Sequence, residues 1–356
     1  MTLSKERTLQ VGLIGFGLGG STFHAPFVSI TPGLRLAAVL TRDPARSHAV
    51  HEKYPEAHIA RDIDDLLGGP TPLDLVVISS PNATHHPLAT AVLSAGAHVV
   101  VDKPFATTSA FARELGTLAA RVGKLAVPFQ NRRWDGDFLT LQQLINDDKL
   151  GTVHRFESRM DRWRIPPKPG WCRPDARERA EGILHDLGTH LIDQALVLFG
   201  PVATVYAEMD RRAPEIVTED DVFLSLEHVG GVRSHLYMST RAGLPGPRLN
   251  VTGSRGAYVK YSLDVQEDAL RAGTRPGGAN WGEESAERWG TLGAGPESEQ
   301  VPTLPGSYQS YYQGVADAIL NGAPPPVAIA DVVAGLEVIE AAFASKRTHN
   351  VVTLDA

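Results

Sequence analysis

Val11-Gly12-Leu13-Ile14-Gly15-Phe16-Gly17-Leu18-Gly19-Gly20-Ser21 decides the fold of this chain. Four apolar residues read as a buried strand. A Gly-x-Gly-x-x-Gly turn follows at once, and a helical pattern starts at Ser21. Gly15 permits the tight turn, Gly17 lets the backbone approach a pyrophosphate, and Gly20 lets the helix pack close to the strand. The helix start offers free N–H groups and a positive dipole end to phosphates. The turn is therefore expected to cradle a dinucleotide through Gly15, Phe16, Gly17, Gly19 and Gly20.

After this turn, short apolar runs alternate with helical patterns. Leu34 to Leu40, Asp74 to Ser79, His98 to Val101 and Lys124 to Val127 read as strands covered on both faces. Pro87 to Ala95 and Ser109 to Arg121 read as helices between them. This alternation predicts an α/β fold with a doubly wound parallel sheet over residues 1–129. Residues 130–356 have a different texture. Val153 to Asp161, Val202 to Met209, Val222 to Glu227, Val232 to Ser239 and Arg248 to Thr252 predict a large, mostly antiparallel sheet with one open face. One helix interrupts it, from about Ile183 to Phe199. Residues 261–306 show no period and read as a long surface excursion. Tyr308 to Leu320 and Ala330 to Ser345 return to helix and can pack back on the first domain, with Pro324-Pro325-Pro326 as a helix stop.

The end of the second strand bears on cofactor choice. An Asp or Glu there would bind the ribose 2′-hydroxyl of NAD. The chain instead has Thr41-Arg42, and a hydroxyl with a guanidinium fork suits a 2′-phosphate. NADP is expected, with NAD retained as the alternative because Asp43 stands one residue on.

Two further features carry chemistry. Val101-Asp102-Lys103-Pro104 lies at the carboxyl end of a buried strand, where ligands bind in open α/β sheets. Desolvation of Lys103 there would favour the neutral amine and suit proton transfer; alone, the residue reads equally well as a surface lysine. Asp186 and His190 are four apart on one helix face, with Asp193 a turn further. They could form an acid–base pair or simply a solvated face.

Taken together, the glycine turn, the Asp-Lys-Pro exit and Asp186-Leu187-Gly188-Thr189-His190 resemble the glucose–fructose oxidoreductase and inositol dehydrogenase family over essentially the whole chain. Phe23-His24-Ala25-Pro26, Asn131-Arg132-Arg133-Trp134-Asp135 and Gly253 to Tyr261 look most like its NADP-dependent scyllo-inositol dehydrogenase branch. Asp102 departs from the Glu usual in the family motif. The resemblance implies catalytic roles for Lys103, Asp186 and His190, with either Lys103 or His190 as the base. It implies a nicotinamide side lined by Ser80, Pro81, Asn82 and His85, with Asp102, Lys103 and Asn131 also near the cofactor. Lys103, Asp186, His190 and Arg164 are the expected substrate contacts; Arg162-Trp163-Arg164 and Trp171-Cys172-Arg173 read equally well as segments that close over a sugar-like ligand or as packing or oligomer contacts. The implied reaction moves a hydride between a secondary hydroxyl of a cyclitol or sugar and the nicotinamide. Reduction of another sugar or an imine, or a non-catalytic cofactor-binding regulator, are the alternatives. A homodimer or homotetramer through the second sheet is also implied.

The bulk numbers agree. The 356 residues carry a formal net charge of −7, which disfavours nucleic acid or an anionic membrane surface as a partner. No apolar run is long enough to span a bilayer, and the first ten residues carry no apolar leader. The single cysteine, Cys172, excludes an internal disulfide framework and fits a reducing, cytoplasmic setting. The 13 histidines show no metal-ligand spacing, so no metal is expected.

Overall fold

The computed structural model describes residues 7–355. Its first sheet has six parallel strands: β1 (Leu9–Ile14), β2 (Leu34–Leu40), β3 (His58–Ala60), β4 (Leu75–Ile78), β5 (His98–Val101) and β6 (Ala126–Pro128). Their order is β3-β2-β1-β4-β5-β6. The helices α1 (Ala25–Ile30), α2 (Pro44–Lys53), α3 (Ile63–Leu67), α4 (His85–Ser94) and α5 (Ser109–Val122) connect them. Every side chain of β4 is buried, as cover on both faces requires. The strand order reverses between β1 and β4, so a crevice opens beyond their carboxyl ends.

The second sheet has nine strands, ordered β14-β13-β12-β11-β7-β10-β9-β8-β15. They are β7 (Val153–Asp161), β8 (Val202–Asp210), β9 (Asp221–His228), β10 (Arg233–Ser239), β11 (Leu249–Gly253), β12 (Gly256–Lys260), β13 (Gly290–Ala294), β14 (Glu297–Val301) and β15 (Val352–Thr353). Among the described residues of this sheet, only β7 and β10 pair in parallel. Strand β9 alternates strictly between half-buried and buried residues, so one face meets the core. The other face carries Phe223, His235 and Tyr237, with the Arg159 guanidinium 3.6 Å from the Tyr237 ring centre.

One expectation needs correction. Residues 261–306 are not a featureless surface excursion. They contain α8 (Gln266–Arg271) and the β13–β14 hairpin, which extends the sheet through β12. Asp264, Gln266 and Trp281 within them are buried.

The remaining helices are α6 (Gly136–Asn146), α7 (Thr189–Phe199), α9 (Gln309–Asn321) and α10 (Ile329–Thr348). The last two bind the domains together. Glu340 of α10 accepts from the Ser109 backbone N–H at 2.7 Å and from its hydroxyl at 2.9 Å, at the start of α5. Tyr312 of α9 meets His24 Nδ1 at 2.7 Å. Among the described residues no helix is long and apolar enough to cross a membrane.

Candidate active site

The glycine turn leaves β1 against Ser79, the first residue beyond β4. Gly15 has φ +93°, and a Cβ there would drive into the Ser79 carbonyl. A Cβ on Gly20 would strike the Gly15 carbonyl, and one on Gly19 the Ser79 hydroxyl. Gly17 is different: the nearest atom to a Cβ there is Arg46 Nη1, at 3.8 Å. Three glycines thus close the turn, and the fourth leaves open space over it. That is the shape a pyrophosphate needs. The chain then winds in wide turns over Gly19–His24 before α1, with Ala25 N–H bonding back to the Gly20 carbonyl.

Ile14 pairs with Leu40, so Thr41-Arg42 does follow the second strand directly. The Asp43 carboxylate is occupied: it caps α2 by accepting from Ala45 N at 2.9 Å and Arg46 N at 3.2 Å. Thr41 is buried, and its hydroxyl accepts from Asp43 N at 3.4 Å. Arg42 donates through Nε to the Arg61 carbonyl. Arg46, over the open glycine, escapes the sequence reading. Its position in the first turn of α2, one turn beyond Arg42, is the signal that could have found it.

The next strand ends complete the crevice. Asp102 follows β5. Its carboxylate accepts from Lys103 N at 2.7 Å and Ser79 Oγ at 2.9 Å, and His24 Nε2 lies 3.3 Å away. Burial pushes this carboxyl up, but His24, Lys103 and His85 outweigh burial and hold it below the usual carboxylate range. His85 sits with both ring nitrogens 2.8 Å from carbonyl oxygens, those of Pro104 and Ser80. It braces two strand exits, leaving neither nitrogen to a ligand. The Asn82 amide donates to the Ala180 carbonyl of the second domain at 2.9 Å. Asn131 is buried in the turn after β6, and its side-chain amide bonds to no described residue.

Lys103 reaches across the domain boundary. Its ammonium donates to Asp186 Oδ1 at 2.7 Å and to the Asp186 carbonyl at 2.8 Å. It is therefore not the isolated amine that its position suggests. Asp186 lies in a wide turn, Leu184–Gly188, that leads into α7 in place of a regular first turn. Lys168 donates to the other Asp186 oxygen, a contact nothing in the sequence marked. Burial raises the Asp186 carboxyl, and the two lysines more than reverse this, so it stays ionised. Burial lowers the Lys168 ammonium below the ordinary lysine value, with Asp186 opposing.

His190, one turn further on, is buried, so the face is not a solvated one. Its Nδ1 lies 3.1 Å from Gln130 Oε1. That oxygen only accepts, so Nδ1 carries the hydrogen and Nε2 presents a lone pair. Burial first, then Arg132 and Lys103, keep the ring neutral well below the usual histidine range. Asp193 does not join the pair: Arg133 grips it through two bonds of 2.8 and 2.7 Å and ties it to Asp331 of α10. A cavity of about 170 Å³ lies among Asn82, Lys103, Lys168, Trp171 and Asp186. Arg164 lines a separate cavity nearby, of about 270 Å³.

Residues 9–129 match the NAD-binding Rossmann-fold model of the oxidoreductase family, and residues 142–354 match that family's C-terminal alpha/beta domain. The chain is 32% identical to scyllo-inositol 2-dehydrogenase (NADP(+)) IolW of Bacillus subtilis, over 100% of this chain and 99% of that protein. It is 38% identical to the uncharacterized oxidoreductase YdgJ of Escherichia coli, over 95% and 96%. The solved structure of yvaA from Bacillus subtilis superposes with a TM-score of 0.93 at 32% identity, covering 99% of this chain and 100% of that one.

Proposed function

This chain belongs to the glucose–fructose oxidoreductase and inositol dehydrogenase family of nicotinamide-dinucleotide-binding oxidoreductases, and from that premise we propose that it is an NADP-dependent dehydrogenase of a cyclitol or sugar hydroxyl. The observation that carries this reading is the meeting of Lys103 and Asp186, from separate domains, beyond the carboxyl ends of the cofactor sheet.

The glycine turn fits the cofactor's pyrophosphate because Gly17 alone leaves its Cβ position open. Gly15, Phe16, Gly17, Gly19 and Gly20 would hold it there, and Arg42 with Arg46 would face the 2′-phosphate. Ser80, Pro81, Asn82 and Asn131 would line the nicotinamide end, with His85 and Asp102 fixing the loops beneath it. When bound, the nicotinamide supplies a carbon that accepts or gives a hydride.

The chain's own residues handle the proton. His190 Nε2 is the base: the Gln130 contact fixes its tautomer, and its buried surroundings keep it neutral. Lys103, held in place by its bond to Asp186, donates to the carbinol oxygen and stabilises the alkoxide as its proton leaves. Asp186 keeps both lysines in place and is a positioning residue for Lys103. In the reductive direction the same groups return the proton.

The test is turnover of Lys103→Ala with NADP⁺ across inositol isomers, aldoses and ketoses, beside its cofactor affinity. We expect kcat to fall by about 10²–10³-fold, the loss typical of one transition-state donor, with cofactor binding retained. Full turnover in Lys103→Ala would remove the assignment. Cofactor binding by wild type with no turnover on any of these compounds or on their acid and phosphate derivatives would make the protein a regulator.

A further inference from the structure

Beside the reaction centre lies the cavity of about 270 Å³ lined by Arg132, Arg162, Arg164, Glu267 and Arg271. Arg162 and Arg164 come from the extended segment that leaves β7. Arg162 N–H bonds to the Ser239 carbonyl and Arg164 N–H to the Thr240 carbonyl, and Trp163 bridges to Arg241. Alternate residues of an extended chain share a face. The two arginines therefore point one way, and Trp163 points to solvent, 61% exposed.

The charges around this cavity do not balance. Arg132 is bound by Asp135 and Glu267, and Arg271 by Glu267. No described carboxylate forms an ion pair with Arg162 or Arg164. Glu267 already serves two guanidiniums, and Arg162 adds to the charge that holds it down to about 2. Asp264 is occupied by the backbone N–H groups of Gly136 and Gln266. Asp268 is exposed. Burial lowers the Arg162 guanidinium below its ordinary value; Glu267 and Asp186 oppose this, and neighbouring Arg132 and Arg164 add to it. Desolvated like charges side by side are costly unless an anion joins them. The site is close to the chemistry: Arg132 lies two residues beyond Gln130, the partner of His190, and its carbonyl accepts from Gln194 of α7.

We propose that Arg162 and Arg164 form a subsite for an anionic group, a carboxylate or phosphate monoester, carried by the polyol whose carbinol is held at Lys103, Asp186 and His190. This rests on the dehydrogenase reading and narrows its substrate class from neutral sugars to sugar acids or sugar phosphates. Planar guanidinium forks suit either group.

The test compares neutral and anionic partners on the full-length protein with NADP⁺: glucose against glucuronate and glucose 6-phosphate, and inositol against inositol monophosphate. The expected result is a kcat/KM at least about tenfold higher for one anionic arm, which also identifies the group as carboxylate or phosphate. Arg162→Gln and Arg164→Gln should raise KM for that anion at least about tenfold more than for its neutral partner, and Arg164→Lys should recover part of the loss. Equal or better use of the neutral partners, or equal KM changes for both, would overturn the subsite and leave the dehydrogenase intact. If nothing turns over, calorimetry of the cofactor-loaded protein with glucuronate and glucose 6-phosphate decides separately. Binding that Arg162→Gln abolishes supports the subsite while the dehydrogenase reading fails, and no binding overturns the subsite. A thermal melt of each variant confirms that it folds; should either Gln variant fail to, the wild-type substrate pairs and Arg164→Lys still decide.

Discussion

The same substitution at two glycines should separate binding from stability. In Gly17→Ala the new methyl meets nothing closer than the mobile end of Arg46 at 3.8 Å, and Gly17 is not among the positive-φ residues. Stability should stay within about 0.5 kcal/mol of wild type, with a slight gain possible from the stiffer unfolded chain. The methyl would nevertheless occupy the space reserved for the pyrophosphate. Losing one charge-assisted hydrogen bond of about 1.5–3 kcal/mol should raise the cofactor Kd about 10- to 100-fold. In Gly20→Ala the methyl drives into the Gly15 carbonyl, a backbone atom that cannot swing aside. That overpacking should cost about 1–3 kcal/mol, and a domain of about a hundred residues loses roughly 4 °C of Tm per kcal/mol. Calorimetric titration of NADP⁺ and differential scanning of both variants would read the two effects. A Gly17→Ala protein with Kd within about twofold of wild type would refute the cradle. So would a Gly20→Ala protein that melts with wild type.

Three other outcomes follow from the geometry. Arg42→Ala should raise the NADP⁺ Kd by about tenfold or more and leave the NAD⁺ Kd unchanged, as loss of a phosphate-binding fork requires; tighter NAD⁺ binding by wild type would contradict it. Burial pushes the Glu219 carboxyl up to about 7, so the folded state holds that proton more tightly than the unfolded state. Its contribution is full below about pH 4.5 and is lost as pH rises through about 7. Relative to Glu219→Gln, wild type should lose up to about 3 kcal/mol between pH 4.5 and 8, read from urea midpoints; a parallel pair of curves would refute this. The outward Phe223, His235 and Tyr237 should bury themselves between two copies of the second sheet, so light scattering should show a dimer or tetramer, and a monomer would contradict it.

The parts of the fold that were legible were those whose side chains must match their surroundings. Strands β2 and β5 fall where their apolar runs predict, because buried strands tolerate little else, and β7 falls where apolar Phe156 and Met160 alternate with outward charges. The β13–β14 hairpin was invisible: Gly290–Ala294 and Glu297–Val301 lie at a sheet edge, where polar residues keep other chains from adding on, so no alternation remains to be read. Of the site, Lys103 and Asp186 were marked by position and spacing. Their contact was not, since 83 residues separate them. Lys168 lies in an irregular stretch with no period, and only the folded chain brings it to Asp186.

The first sheet is complete once Pro128 has left the ribosome, but its surroundings are not. His24 waits for Tyr312 and the start of α5 waits for Glu340, both made long after the first sheet. A domain that folds in order of emergence must hold an unfinished face toward solvent for nearly two hundred further residues. A chain stopped before Ile329 would own every residue of the cofactor turn and of the Lys103–Asp186–His190 constellation, yet lack the helix that covers α5 and anchors α7 through Arg133 and Asp331. Such a product would be a substrate for chaperones and proteases before it could be an enzyme. Helix α10 thus closes the face that the first sheet leaves open.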